Sequence, residues 1–350
     1  MDREFYLELA ASGFRAPIAT DLALNEFAEP ERILEDGREL GRVLEAAAAR
    51  YGSRLAFPLM DLKLEKADLL AQIGMDAEQA DVFHFDEAPS DKVFDQVRSR
   101  CSAPFSRRSQ AQIDSVAHIA EHSELLPVGM AIGPFSLATK LMSDPITAVA
   151  MAGMGLAGSE DPTVLLAERC LALAEIAVRR SVAAQIRSGA KAMLICEPAA
   201  NRVYLSPRQI QAGSDIFERF VMQPNLRLAA LLRDSATDLI FHDCGELTTD
   251  MVRQFATRLD PAVLSLGSSR KLWEDAEVVP KRVVLYGNLP TKNFYSDDVL
   301  PVGAVVLMAK QIVDGMAKAG HPHILGSECD VLHMAEASET IRRKLDSVFL

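Results

Sequence analysis

Cysteine is scarce in this chain. Five residues in 350, an odd number spread from Cys101 to Cys329, do not make a disulfide framework. The thiols are therefore expected to be reduced and free for metal or redox chemistry. Basic charge is also short: the formal net charge of −12 argues against a nucleic-acid partner, which needs a cationic face. The one basic cluster, RSRCSAPFSRR (Arg98 to Arg108), reads as a solvated loop or a contact for an anionic ligand. No apolar run reaches the roughly 18 residues that span a bilayer. The nearest, ITAVAMAGMGLAG (Ile146 to Gly158), is short and glycine-rich, so no membrane association is expected. The N-terminus, MDREFYLELA, is charged and lacks a signal segment, which points to a cytoplasmic protein. Repeats, low-complexity tracts and long linkers are missing as well, which favours a single domain.

What the chain does have is a rhythm. Residues Glu29 to Arg50 are rich in alanine and leucine and read as helix. Eight short apolar runs follow: LAFPLMD (55–61), DVFHFDE (81–87), LPVGMAIG (126–133), AMLICEP (192–198), DLIFHDCG (238–245), AVLSLG (262–267), RVVLYGN (282–288) and HILGSEC (323–329). Between most of them lie helical patterns such as Asp161 to Gly189. Continuous apolar runs alternating with helices imply parallel strands buried on both faces. Eight units over this length predict an α/β fold, a (β/α)8 TIM barrel over residues 53–345 with an N-terminal helical extension over 1–52, together one domain across 1–350. DVFHFDE is the weakest of the eight and also reads as a hairpin in a loop insertion.

The runs end on polar or small residues: Asp61, Gly133, Glu197, His242 with Cys244, Gly267, Asn288 and Cys329. In a barrel all strand C-termini meet at one face, where active sites sit. Residues two apart on a strand project to the same side, so His242 and Cys244 are able to share an ion. Cys329 supplies a third ligand. A Cys2His set leaves one tetrahedral position open, the pattern of a catalytic zinc, and soft thiolates favour zinc over magnesium or calcium. The competing reading is a packed histidine and a buried thiol at a strand end. His321 and His323 precede their strand and are expected at the opposite face. Cys196 is read as core, and Cys101 and Cys170 as structural or incidental.

The residues FHDCG and, later, GSECDV resemble the H-x-C…C zinc signature of the methylcobamide:thiol methyltransferases of the uroporphyrinogen decarboxylase superfamily. MDLKLEKADLLAQIGMD (60–76), AIGPFSLATKLM (131–142), ICEPAANRVYLSPRQI (195–210) and YGNLPTKNFYSDDV (286–299) are similar to further segments of that superfamily, in the same order. The resemblance spans roughly residues 55 to 345. Only the three metal ligands separate the methyltransferase branch from the metal-independent decarboxylase. The decarboxylase's N-terminal R-Q-A-G-R motif has no counterpart here, where GFRAPIATDLALN (13–25) occupies the region.

The resemblance implies that His242, Cys244 and Cys329 hold zinc. It also implies that a methyl group passes between a corrinoid such as methylcobalamin and a small substrate, a thiol or another methyl donor or acceptor. No D-x-H-x-x-G cobalt-ligand motif is present, so a separate corrinoid carrier protein is the expected partner. Glu197 reads as a hydrogen-bond partner of a ligand or substrate, a proton acceptor, or a buried structural carboxylate. Asp61 lies where the superfamily has a functional acid, or else bonds backbone at the mouth. Asn288, Tyr204 and Gly133 are candidates for substrate binding, with turn formation and packing as the alternatives for the first two; Trp273 is likewise pocket lining or packing. Asp243 is expected to project away from the metal, and Glu246 to begin the next helix. The alternatives to a methyltransferase are a metal-free decarboxylase-like lyase and a non-catalytic binding barrel. A homo-oligomer is compatible with all three.

Overall fold

The structure, a computed structural model, describes residues 3–350, apart from the side chains of residues 77 and 78. Residues 1 and 2, the start of the expected extension, lie outside the described residues. Seven parallel strands follow one another in space in chain order: β1 (Leu55–Ala56), β2 (Leu126–Ile132), β3 (Ala192–Cys196), β4 (Asp238–Asp243), β5 (Val263–Leu266), β6 (Val284–Leu289) and β7 (His323–Ser327). Helices connect them on the outside. The alternation predicted from the apolar runs is visible along each strand. Ala192, Leu194 and Cys196 of β3 belong to the inner core, while Met193 and Ile195 pack against the helices. On β4, Ile240 faces in and Leu239 and Phe241 face out.

The sheet curls on itself. Leu55 and Phe57, at and just beyond β1, share one small enclosed space with Ile324 of β7, together with Leu194, Ile240, Val263 and Tyr286. First and last strands do not pair directly. Between them runs the segment from Arg15 to Ile18, which forms a one-residue parallel bridge with Leu325. Ala16 N donates to Leu325 O at 3.1 Å and Ile18 N to the Ser327 hydroxyl at 3.0 Å. On the other side Thr20 donates to Phe57 O at 2.6 Å. This stretch of the N-terminal segment thus fills the seam of the wall.

Helix Arg3–Ala11 lies across the N-terminal end of the sheet. Its Tyr6 and Leu9 enter the inner core, and the Arg3 guanidinium reaches the carbonyls of Asp260, Pro261 and Arg282 just ahead of β5 and β6. That end is closed by packing, so the strands' C-terminal ends form the available mouth.

Two expectations are corrected. DVFHFDE is not a strand: Asp81 and Val82 end helix Ala77–Val82, and only Phe85 makes a one-residue bridge, to Met142. A capping box holds that helix, with Asp76 accepting from Gln79 N at 2.8 Å and Gln79 returning a bond to Asp76 N at 3.2 Å. Its alternating aromatics, Phe83 and Phe85, pack edge to face with each other and against the outer core. The sheet therefore has seven strands among the described residues, not eight. The helix expected over Glu29 to Arg50 is split into Pro30–Ile33 and Gly37–Arg50, because the Asp36 carboxylate caps the second piece at Glu39 N, 3.0 Å away. The basic cluster is a loop over residues 100–106 between helices Asp91–Ser99 and Arg107–His122, and Arg107 and Arg108 pair with Glu35 and Glu31. Among the described residues, no helix is long and apolar enough to cross a membrane.

Candidate metal centre

β4 carries His242 one residue before its end, and Cys244 follows the strand directly. His242 has the parity of Ile240, so it faces the inside; it is 1% exposed. Cys329 lies two residues past β7, where the chain bends. Its parity is opposite to that of the inward-facing Ile324, so the bend, not the strand, directs it to the mouth. One ligand atom from each of His242, Cys244 and Cys329 lies within 4.8 Å of the others. A tetrahedral ion with metal–sulfur bonds of about 2.3 Å needs ligand atoms about 3.5–3.8 Å apart, so closing the set requires only small movements.

The electrostatics agree with a coordinating set. His242 Nδ1 lies 2.9 Å from the Ser265 hydroxyl, while Nε2 is buried without a hydrogen-bond partner. An imidazole that donates from Nδ1 presents Nε2 as a bare lone pair, the form a metal takes up. Beside it the Cys244 thiol is held well below its ordinary range, first by a hydrogen bond from Cys329, then by the His242 ring and the Lys292 ammonium. Cys329 is pushed up in turn by donating to that sulfur and by burial. Two adjoining thiols beside an imidazole nitrogen fit a soft divalent cation.

The rest of the predicted site residues separate. Glu197 follows β3, the neighbour of β4, and is fully buried. Its oxygens accept from Ser136 N at 2.5 Å, Phe135 N at 3.4 Å and Asn225 Nδ2 at 2.8 Å. It thus caps the first turn of helix Pro134–Lys140, and burial pushes its carboxyl up. Gly133 is part of the same socket: a Cβ there would collide with the Glu197 carboxylate. Tyr204 meets Phe135 edge to face at 6.2 Å, against the outer core. Asn288 is buried in β6 and donates to the carbonyls of Gly267 and Arg270, at 2.8 and 2.9 Å, pinning the loop after β5. Asp61 is half-buried and accepts from Lys63 N at 3.0 Å, a local turn.

Asp243 is fully buried, with Oδ1 accepting from Gly245 N at 2.8 Å, and Glu246 pairs loosely with Arg202 at 4.0 Å. Trp273 packs on Gly315 of helix Val302–Ala319. His321 and His323 give their Nε2 atoms to the carbonyls of Val283 and Gly287, both at 2.9 Å; His323 is the first residue of β7, at the end away from the mouth.

Four residues escaped the sequence reading. Ser265 holds the His242 ring, and its inward parity on β5 was the available signal. Lys292 brings a cation to the two thiols and donates its backbone N–H to Glu328 at 3.4 Å. Glu328, buried, accepts from the Ser268 hydroxyl at 2.6 Å and so ties the loop after β5 to β7. Asp330, next to Cys329, is 6% exposed, and burial followed by the charge of Asp21 pushes it up to about 8.

The sequence profile of the family described as uroporphyrinogen decarboxylase (URO-D) matches residues 74–348. A solved structure described as a methyltransferase from Methanosarcina mazei superposes with a TM-score of 0.68 at 17% sequence identity, covering 99% of each chain. At that identity the likeness concerns the fold. No curated protein sequence matches the chain. A profile match over most of the length, on a curled parallel sheet with its polar cluster at the strand ends, settles the family: the chain belongs to the uroporphyrinogen decarboxylase family.

Proposed function

We propose that this chain is a zinc-dependent methyltransferase that moves a methyl group between a corrinoid on a separate carrier protein and a small thiol. The observation that carries the reading is the convergence of His242, Cys244 and Cys329 from two strand ends that are 85 residues apart in sequence. Three soft or borderline ligands would leave a tetrahedral ion one position for a substrate, which suits a catalytic zinc rather than a closed structural one. Bound there, zinc would supply the Lewis acidity that takes the proton off a thiol near neutral pH.

The chain's own residues have definable parts in this reading. His242 is oriented by Ser265 and offers Nε2. Cys244 is already disposed to lose its proton, and Lys292 adds positive charge beside both sulfurs. Glu197, with Asn225 and Ser136, fixes the wall between β3 and the next helix and so positions the residues beside His242. Asn288 and Glu328 hold the loop after β5 against β6 and β7. The same reading takes residues 53–345 as the barrel and 1–52 as its extension, in one functional unit.

The test is to incubate the zinc-loaded protein with methylcobalamin and a panel of small thiols, following the visible absorbance of the corrinoid. Thiol-dependent demethylation that disappears in Cys329→Ala supports the proposal. A zinc-loaded, folded protein inert toward every thiol, and equally inert with cobalt(I) cobalamin and methylated donors, overturns it.

A further inference from the structure

A second polar cluster lies on the helical layer, in a half-open cavity of about 410 Å³ between helix Leu64–Gln72, the end of helix Ala77–Val82 and the end of helix Pro134–Lys140. Lys63, Lys66, Lys140 and His84 line it together with one carboxylate, Asp81, and the apolar Ala67, Ala80 and Val82. None of these residues is a contact of the metal centre. Lys66 is the informative one. It is 7% exposed, yet its ammonium, with three protons to donate, makes a single long contact of 3.5 Å to the carbonyl of Asp81. Lysine is almost never buried without a counter-charge. Asp81 supplies a carboxylate only to the exposed Lys63, at 3.3 Å. Among the described residues no carboxylate lies within ion-pairing distance of Lys66 or Lys140.

Asp81 neutralises Lys63, which leaves Lys66 and Lys140 facing one recess without an ion-pair partner. Burial, followed by the charge of Lys140, already holds the Lys66 ammonium below its ordinary range. In a chain of net charge −12, which has acidic residues in excess, the one acidic residue of this recess is Asp81, and its carboxylate is paired with Lys63, not Lys66. Lysine binds phosphate as a compact, multi-donor point charge and needs no planar fork. The recess is larger than one phosphate group needs, and its apolar lining suits an uncharged body attached to that group.

We propose that Lys63, Lys66, Lys140 and His84 form a binding site for the phosphate group of a small phosphorylated molecule, separate from the metal centre and independent of the methyltransferase reading.

The full-length protein is titrated calorimetrically with inorganic phosphate, glycerol 2-phosphate and succinate at matched ionic strength. Saturable binding of the two phosphates, at least tenfold tighter than succinate and at least tenfold weakened in Lys66→Met, is the expected result. Lys66→Met removes the buried charge and is expected to raise the thermal midpoint of the unliganded protein. If that variant does not fold, Lys140→Ala, at an exposed position, decides the matter by the same loss of affinity. No phosphate binding beyond the ionic-strength effect overturns the site, as does wild-type affinity in the folded variants. Succinate binding as tight as phosphate overturns the ligand class.

Discussion

The ends of β3 and β4 lie side by side, with Cys196 in register with His242, and they treat buried polar groups in opposite ways. At the end of β3, Glu197 is surrounded by donors from Phe135, Ser136 and Asn225. At the end of β4, His242 Nε2 has no partner, and two thiols gather beside it. A carboxylate whose bonds are all made inside the protein serves the architecture. A nitrogen and two sulfurs gathered at one strand end are the donor set that the proposed metal would use. Glu65 adds a third case, a buried carboxylate on helix Leu64–Gln72 held by the Ser181 hydroxyl at 2.9 Å with Oε2 left over. There the protein answers with a proton, since burial raises the group to about 7.

Each arm of this comparison can be broken. The largest effect is expected for Cys244→Ala, which removes one of three ligands. Zinc affinity in a chelator competition should fall by well over the roughly 100-fold that losing a ligand's hydrogen-bond partner costs. Next comes Glu65→Gln. The folded carboxyl keeps its proton up to about 7, whereas the unfolded chain releases it near 4.5. Wild-type stability should therefore fall as pH rises from 4.5 to 7 and level off above. The variant should lack that slope, gaining up to about 3 kcal/mol relative to wild type at pH 8 compared with pH 4, at 1.36 kcal/mol per pKa unit. Chemical denaturation across that range measures it, and parallel curves for the two proteins would remove Glu65 from the comparison.

Ser265→Ala leaves all three ligands in place but frees the imidazole ring, so zinc affinity should drop about 10- to 100-fold with the fold intact. The smallest effect belongs to the β3 arm. Glu197→Gln turns one accepting oxygen into a donor facing other donors. It should lower stability by about 1 kcal/mol and leave zinc content unchanged. Loss of methyl transfer at full stability and full zinc would instead make Glu197 a participant in the chemistry.

How much of this was readable beforehand follows from the range of the forces involved. Parallel strands covered on both faces are apolar throughout, so seven of eight runs stood out without knowledge of their neighbours. DVFHFDE misled because alternation alone does not tell a strand from a helix end followed by two packed phenylalanines; the capping residues Asp76 and Gln79 were the stronger signal. His242 and Cys244 were legible from a two-residue spacing. Cys329 was legible only through its place after a strand, since its parity is wrong for the barrel interior and the bend corrects it. Glu197 stood out by position, yet its role depends on Asn225 and Ser136, which nothing local connects to it. Gly133 is required by the closeness of Glu197, a steric fact with no sequence signature. Ser265 and Lys292 are ordinary residues made significant by partners on other strands and loops.

The central claim is that one nitrogen and two sulfurs of this chain bind a single zinc ion. X-ray absorption at the zinc edge, on protein whose metal content has been quantified, tests it most directly. The account predicts about one zinc per chain with two sulfurs at about 2.3 Å and one nitrogen at about 2.0–2.1 Å, the sulfur count falling to one in whatever zinc Cys329→Ala retains. A wild-type protein that takes up no zinc, or a Cys329→Ala variant with an unchanged spectrum, would contradict it.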